Sequence, residues 1–201
     1  MGQIPKEICN AVALAGVGLD NNLLSGSIED TFVKCGNLTQ LVLVRNQIGG
    51  MIPEYLSELP LMILDIDSNN FTGAIPKSLW NSTNLMEFSA AHNLKEGTLI
   101  TCGDWYIPSK LSKYFHQVNI PDFSFDQHHG IYDLSYNRLL GPIPVKLGSC
   151  LVVVDLLLGN NMLSGEIHVS LSRLMNLTTL DLSENFLSGG VPPQFGCSVK
   201  L

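Results

Sequence analysis

Apolar and polar positions alternate along this chain in one pattern that keeps restarting. From Leu61 onward, Leu61, Leu64, Ile66, Phe71, Ile75 and Leu79 are apolar, with Asn69, Gly73 and Pro76 set between them. The same order, Leu-x-x-Leu-x-Leu-x-x-Asn-x-Leu-x-Gly-x-Ile-Pro, starts again at Leu14, Leu38, Leu85, His129, Val153 and Leu177, and Leu201 would open a further copy. Successive starts lie 24, 23, 24, 44, 24, 24 and 24 residues apart. A period of this length predicts one supersecondary unit per copy, each burying its apolar face only against its neighbours. The expectation is a single repeat domain over residues 1–201.

Each element of the pattern has a mechanical role in a stacked coil. The Leu-x-Leu alternation predicts a short strand with one buried face, and strands of successive coils then form a concave parallel sheet. Asn22, Asn46, Asn69, Asn93, Asn137, Asn161 and Asn185 follow the strand at one fixed place, where an amide can serve backbone groups that the turn leaves unpaired. They are expected to form a structural ladder. The glycine four residues on permits a tight turn, and Ile-Pro favours an extended path beyond it. The convex side should carry short 3-10 or irregular segments, so the fold class is an α/β repeat solenoid. In the sixth copy both Val154-Asp155-Leu156 and Leu156-Leu157-Leu158 offer a strand core; the second keeps Asn161 and Gly165 in line and is preferred.

The period fails over residues 98–128. Thr101 to Tyr106 matches nothing in the repeat, Ile107-Pro108 resumes the tail of a coil, and about twelve extra residues follow, Tyr114, Phe115, Phe123 and Phe125 among them. Such a loop either contacts a partner or covers a gap in the core, and the residues leave both open.

Composition narrows the functional classes. Hydrophobic residues make up 45% of the 201, which excludes a mostly disordered chain, while only 14% are charged, against about 25% in ordinary domains. A net charge of −7 argues against nucleic-acid binding, which needs clustered Lys and Arg. No apolar run approaches the ~20 residues of a membrane span, and the N-terminus shows no secretory signal pattern.

The 24-residue Ile-Pro repeat resembles the ectodomains of plant leucine-rich-repeat receptor-like kinases. Ile4 to Asn10, Leu19 to Asp30, Asn119 to Asp122 and Gln127 to Gly130 resemble, more narrowly, the anther members of that family. This resemblance implies a plasma-membrane receptor whose outer domain binds a small secreted cysteine-rich protein of the tapetum-determinant type or a peptide, with a co-receptor kinase of the somatic-embryogenesis type. The chain departs from such receptors in having neither paired-cysteine caps nor a kinase. It has no Gly-rich phosphate loop and no His-Arg-Asp catalytic loop, so no enzymatic activity and no cofactor are expected. Starting inside a coil, it reads as an interior piece of an ectodomain, and the alternative function is a truncated structural or regulatory partner or inhibitor.

Four Asn-x-Ser/Thr sequons, at Asn37, Asn70, Asn81 and Asn176, fit a secretory history. The five cysteines, Cys9, Cys35, Cys102, Cys150 and Cys197, include no pair close in sequence; Cys35 and Cys150 share one repeat position and are expected to be buried free thiols. No zinc spacing is present. His116, His128 and His129 with Asp122 and Asp126 are too irregular to predict a metal site. Ser and Asp are frequent because Leu-Asp-Leu-Ser belongs to the strand, so no catalytic triad is read from them.

Strand residues pointing away from the core should form the ligand-binding concave face. These are Gln40, Val42 and Arg45; Asp65 and Asp67; Glu87 and His92; Asp133 and Tyr136; and Asp181 and Glu184. Tyr136, Arg45 and His92 are the expected hot spots, since aromatic and guanidinium groups dominate interface energetics. The acidic members point to a partner with basic patches.

Overall fold

A computed structural model describes residues 2–80, 82, 84–98, 130–149 and 153–195. Each coil contributes two short strands. They are β1 (Gly16–Gly18) and β2 (Ser25–Ser27), β3 (Gln40–Val42) and β4 (Gln47–Met51), β5 (Ile63–Asp65) and β6 (Asn70–Gly73), β7 (Glu87–Ser89) and β8 (Leu94–Thr98). Three further pairs follow: β9 (Gly130–Asp133) and β10 (Arg138–Pro142), β11 (Val153–Leu157) and β12 (Met162–Glu166), β13 (Thr179–Asp181) and β14 (Phe186–Ser188). Odd-numbered strands form one seven-stranded sheet in chain order and even-numbered strands a second, with all pairings parallel.

The fold is thus the expected parallel-strand solenoid, with one addition. The segment after the ladder asparagine, a turn leading to an extended path by its sequence, pairs into a sheet of its own. Once coils stack at the spacing of paired strands, ~4.8 Å, its backbone N–H and C=O groups face the complementary C=O and N–H groups of the equivalent segment on the next coil. Local sequence carries no trace of that pairing, because the strand is glycine-bearing and made by stacking.

The core runs through the middle of the coils. Leu41, Leu64, Phe88, Tyr132, Leu156 and Leu180 are in register on adjacent strands and all buried. Burial pushes the Tyr132 hydroxyl up to about 12. Leu156 pairs with Tyr132 and Leu180, and Leu158 is buried, so Leu156-Leu157-Leu158 supplies the strand core; a register shift between Val153 and Asp155 accommodates the competing run. Both sheets continue across the interrupted period, since β7 pairs directly with β9 and β8 with β10. The insertion itself, beyond Thr98, lies outside the described residues with its aromatic, His and Asp side chains, as do Asn81, Cys102, Cys150 and Cys197.

Among the described residues the convex side carries 3-10 turns at Lys6–Asn10, Glu54–Ser57, Val145–Ser149, Val169–Arg173 and Pro193–Phe195, and one short helix, α1 (Lys77–Trp80). Tyr55 ties two coils there: its hydroxyl donates to the Ile28 carbonyl (2.6 Å) and accepts from the Phe32 N–H (3.1 Å). Burial raises that hydroxyl to about 12.

One expectation is overturned on this side. Cys35 is no free thiol; it forms a disulfide with Cys9, with 26 residues of separation and Cα atoms 4.8 Å apart. Proximity along the chain was the wrong measure, because stacking brings residues about one coil period apart into contact. The bridge closes a loop that the chain-entropy relation values at roughly 3–4 kcal/mol.

Candidate functional site

The concave sheet carries its outward side chains in three columns set by the period-two alternation of the strands, and a fourth column follows one residue further on, where the chain turns. Gln40 is exposed beside Gly16, and Val42 is half-buried over β3. Asp65, Asp67, Glu87, Asp133 and Asp181 are half-buried, while Arg45, His92, Tyr136 and Glu184 are exposed.

The outermost column has a distinctive backbone. Asn21, Arg45, Ser68, His92, Tyr136, Asn160 and Glu184 all have φ between 49° and 55°, the left-handed region that L residues avoid. Each immediately precedes a ladder asparagine and turns the chain out of the concave sheet. The asparagine repays this turn. Asn93 Nδ2 donates to the Ala90 and Ala91 carbonyls of its own coil (3.1 and 2.8 Å) and to the Ile66 carbonyl of the coil before (3.0 Å). Its Oδ1 accepts from the Phe71 N–H at 3.0 Å. Asn46, Asn69, Asn161 and Asn185 repeat both halves of this arrangement, and Asn137 the donor half. Asn22 is exposed and bonds to Leu19 and Asp20 of its own coil.

Three predicted side chains come together. The His92 and Tyr136 rings stack with centroids 4.3 Å apart and planes 12° apart. His92 Nδ1 is 3.1 Å from Asp67 Oδ1, the geometry of an imidazole N–H donating to a carboxylate. Asp67, His92 and Tyr136 therefore form one chain of contacts across three coils. Arg45 lies apart from it, with Nη1 3.5 Å from Asn21 Oδ1.

Three aspartates serve the strands as well as the face. Asp133 Oδ1 accepts from the Ser135 N–H (3.0 Å) and hydroxyl (2.7 Å), and Asp181 Oδ1 accepts from the same groups of Ser183 (2.9 and 2.6 Å). Asp65 Oδ1 accepts from the Asp67 N–H at 3.2 Å. Burial, and then the charges of Asp67, Glu87 and Asp133, raise the Asp65 carboxyl above its ordinary range, against the lowering effect of that N–H. Asp155, absent from the expected set, sits on the same face and accepts from the Thr178 hydroxyl at 2.7 Å. It stands in the column of Gln40 and Glu87.

Asn37, Asn70 and Asn176 are exposed at their sequons, and Asn37 Nδ2 donates to the Val12 carbonyl at 2.8 Å. Two surface hollows, about 450 and 740 Å³, lie off the concave face, one beside Lys6, Asp30 and Lys34 and the other beside Pro53, Tyr55 and Pro76. Among the described residues no group of three His, Cys, Asp or Glu is placed to hold a metal ion, and no helix is long and apolar enough to cross a membrane.

A Leucine Rich Repeat family signature matches residues 37–59, 60–82 and 176–198. Those three stretches are leucine-rich repeats by sequence. Over 83 residues, 41% of its length, it is 48% identical to the leucine-rich repeat receptor protein kinase MSL1 of Oryza sativa subsp. japonica, and that stretch is 6% of the rice protein. It is 51% identical over 53 residues, 26% of its length, to the receptor protein kinase EMS1 of Arabidopsis thaliana, of which they are 4%. Among solved structures, this chain superposes on the plant peptide hormone receptor RGFR1 in complex with RGF2 with a TM-score of 0.78 and 36% identity. That match covers 97% of this chain and 28% of the receptor. The Arabidopsis receptor kinase HAESA, in complex with the peptide hormone IDA and the co-receptor SERK1, gives a TM-score of 0.78 at 29% identity, over 96% of this chain and 29% of HAESA. The leucine-rich-repeat solenoid thus resembles a segment of a plant receptor-kinase ectodomain, EMS1 among them, and spans a small part of each relative's length.

Proposed function

We propose that the solenoid is an extracellular, non-catalytic recognition module that binds a small secreted cysteine-rich protein or peptide on its concave sheet, with a co-receptor kinase as second partner, in developmental signalling. The observation that carries this reading is the Asp67–His92–Tyr136 stack. It is a half-exposed aromatic pair, oriented by a carboxylate, on a sheet face that nothing else in the described chain covers. Rigid aromatic groups held by their neighbours bind with little ordering cost, which is what anchors an interface.

Two further observations support it. The Cys9–Cys35 disulfide fits an oxidising, extracellular setting. The solved receptors of similar fold are described with peptide hormones bound, one of them with its co-receptor.

Calorimetric titration of the secreted, glycosylated chain with a tapetum-determinant-type cysteine-rich protein tests the proposal. Saturable heat is expected, and it should be lost in Tyr136→Ala. Saturable binding that survives both Tyr136→Ala and His92→Ala would place the interface elsewhere and defeat this reading.

A further inference from the structure

Charge is distributed unevenly over the molecule. On the concave sheet the described carboxylates include Asp65, Glu87, Asp133, Asp155, Asp181 and Glu184, in addition to the Asp67 that holds His92. Among the described residues of that sheet and its outer column, the one Lys or Arg is Arg45. Elsewhere the signs are mixed. Lys6, Lys77 and Arg173 lie in the convex turns with Glu7 and Glu54, and Arg138 lies on the second sheet with Glu166. The acidity therefore belongs to one face and not to the surface as a whole.

This face is also electrostatically unrelieved. Asp65 and Asp133 stand in one column two strands apart, each in register with Ser89, and the Asp65 carboxyl is raised in part by its acidic neighbours. In Asp65, Asp133 and Asp181 the internal hydrogen bonds fall on Oδ1, so Oδ2 remains an acceptor. Beside these acids Tyr136 is 51% exposed, with one ring face against His92.

Resting on the reading of this sheet as a ligand face, we propose that its occupant is a cationic, arginine-bearing polypeptide segment, with one guanidinium between Asp133 and the outer face of Tyr136. Arginine fits better than lysine because its planar fork meets a carboxylate in two parallel hydrogen bonds while its face stacks on an aromatic ring. Complementary charge also steers the encounter, an effect that salt within the physiological range weakens. The ligand's positive charge then meets the carboxylates that surround Asp65 in the free protein.

The test is selection of a displayed library of random 12-residue peptides against the full 201-residue chain. Selected peptides are then synthesised and measured by fluorescence anisotropy. Enrichment of arginine is expected. Replacing that arginine by lysine should weaken binding several-fold, and Asp133→Asn or Tyr136→Ala should each weaken it about tenfold, the equivalent of about 1.4 kcal/mol. Glu87→Gln is a second variant should Asp133→Asn disturb folding, since no strand hydrogen bond rests on its side chain among those described above. Neutral or acidic peptides that bind and are lost in Tyr136→Ala would overturn the cationic ligand and leave the ligand face standing. No enrichment, or binding indifferent to all three variants, would overturn both.

Discussion

The Tyr136 ring lies against the His92 ring at 4.3 Å although the repeat period is broken between them. Their strands, β7 and β9, pair directly, so the two residues occupy adjacent places in one column. A stacked pair of this kind contributes about 0.5–1.5 kcal/mol beyond its buried area. The double-mutant cycle His92→Ala, Tyr136→Ala, read by urea denaturation, should return a coupling energy toward the low end of that range, because both rings face solvent. A coupling of zero would mean that the rings do not hold one another in solution.

The ladder predicts a gradient. Asn93→Ala removes an amide with four backbone partners on two coils and should cost about 1–3 kcal/mol, whereas exposed Asn22→Ala should cost less than about 1 kcal/mol. Equal losses in chemical denaturation would contradict the assignment of the stabilisation to buried, inter-coil bonds.

Breaking the Cys9–Cys35 bridge should lower stability by about 2–4 kcal/mol. The comparison is between the parent and Cys9→Ser with Cys35→Ser, each melted with and without a reductant. The parent should fall to the level of the double variant on reduction, and peptide mass mapping without reduction should recover the Cys9 and Cys35 peptides joined.

Asp65 makes stability depend on pH with a definite sign. Its folded carboxyl is raised above the unfolded value, so the folded state binds the proton more tightly. The associated stability is complete below the unfolded carboxyl range, near pH 4, and is lost as pH rises through the raised folded value. Asp65→Asn, whose amide oxygen can still accept from the Asp67 N–H, should therefore melt higher than the parent at pH 7. The difference should close as the pH is lowered toward the carboxylate range. A variant that melts lower at pH 7 would show the charge to be favourable.

Much of this molecule was readable from one strand of text because its period is local. Leu61, Leu64 and Ile66 declare a buried face within six residues, and Asn69 marks where the ladder must stand. Asp67 follows from the same alternation, and His92 and Tyr136 from their place directly before a ladder asparagine. What could not be read depends on relations between coils. The second sheet exists only once β2 lies beside β4 and β4 beside β6. Cys9 and Cys35 look unrelated until a coil is laid on the next. Asp133 and Asp181 look like free ligand groups until the serines two residues on turn back to them.

The left-handed column along the rim has a consequence for how such a protein changes over time. A glycine would take this backbone without strain, yet all seven positions carry a side chain, at a cost of about 1–2 kcal/mol each. The cost is set by the backbone and is smallest for Asn, which holds two of the seven positions. An Arg, a His, a Tyr and a Glu occupy equivalent places on the same wire. Replacing one leaves in place the asparagine bonds that set the track of the chain, so partner choice can be rewritten letter by letter while the fold is inherited whole.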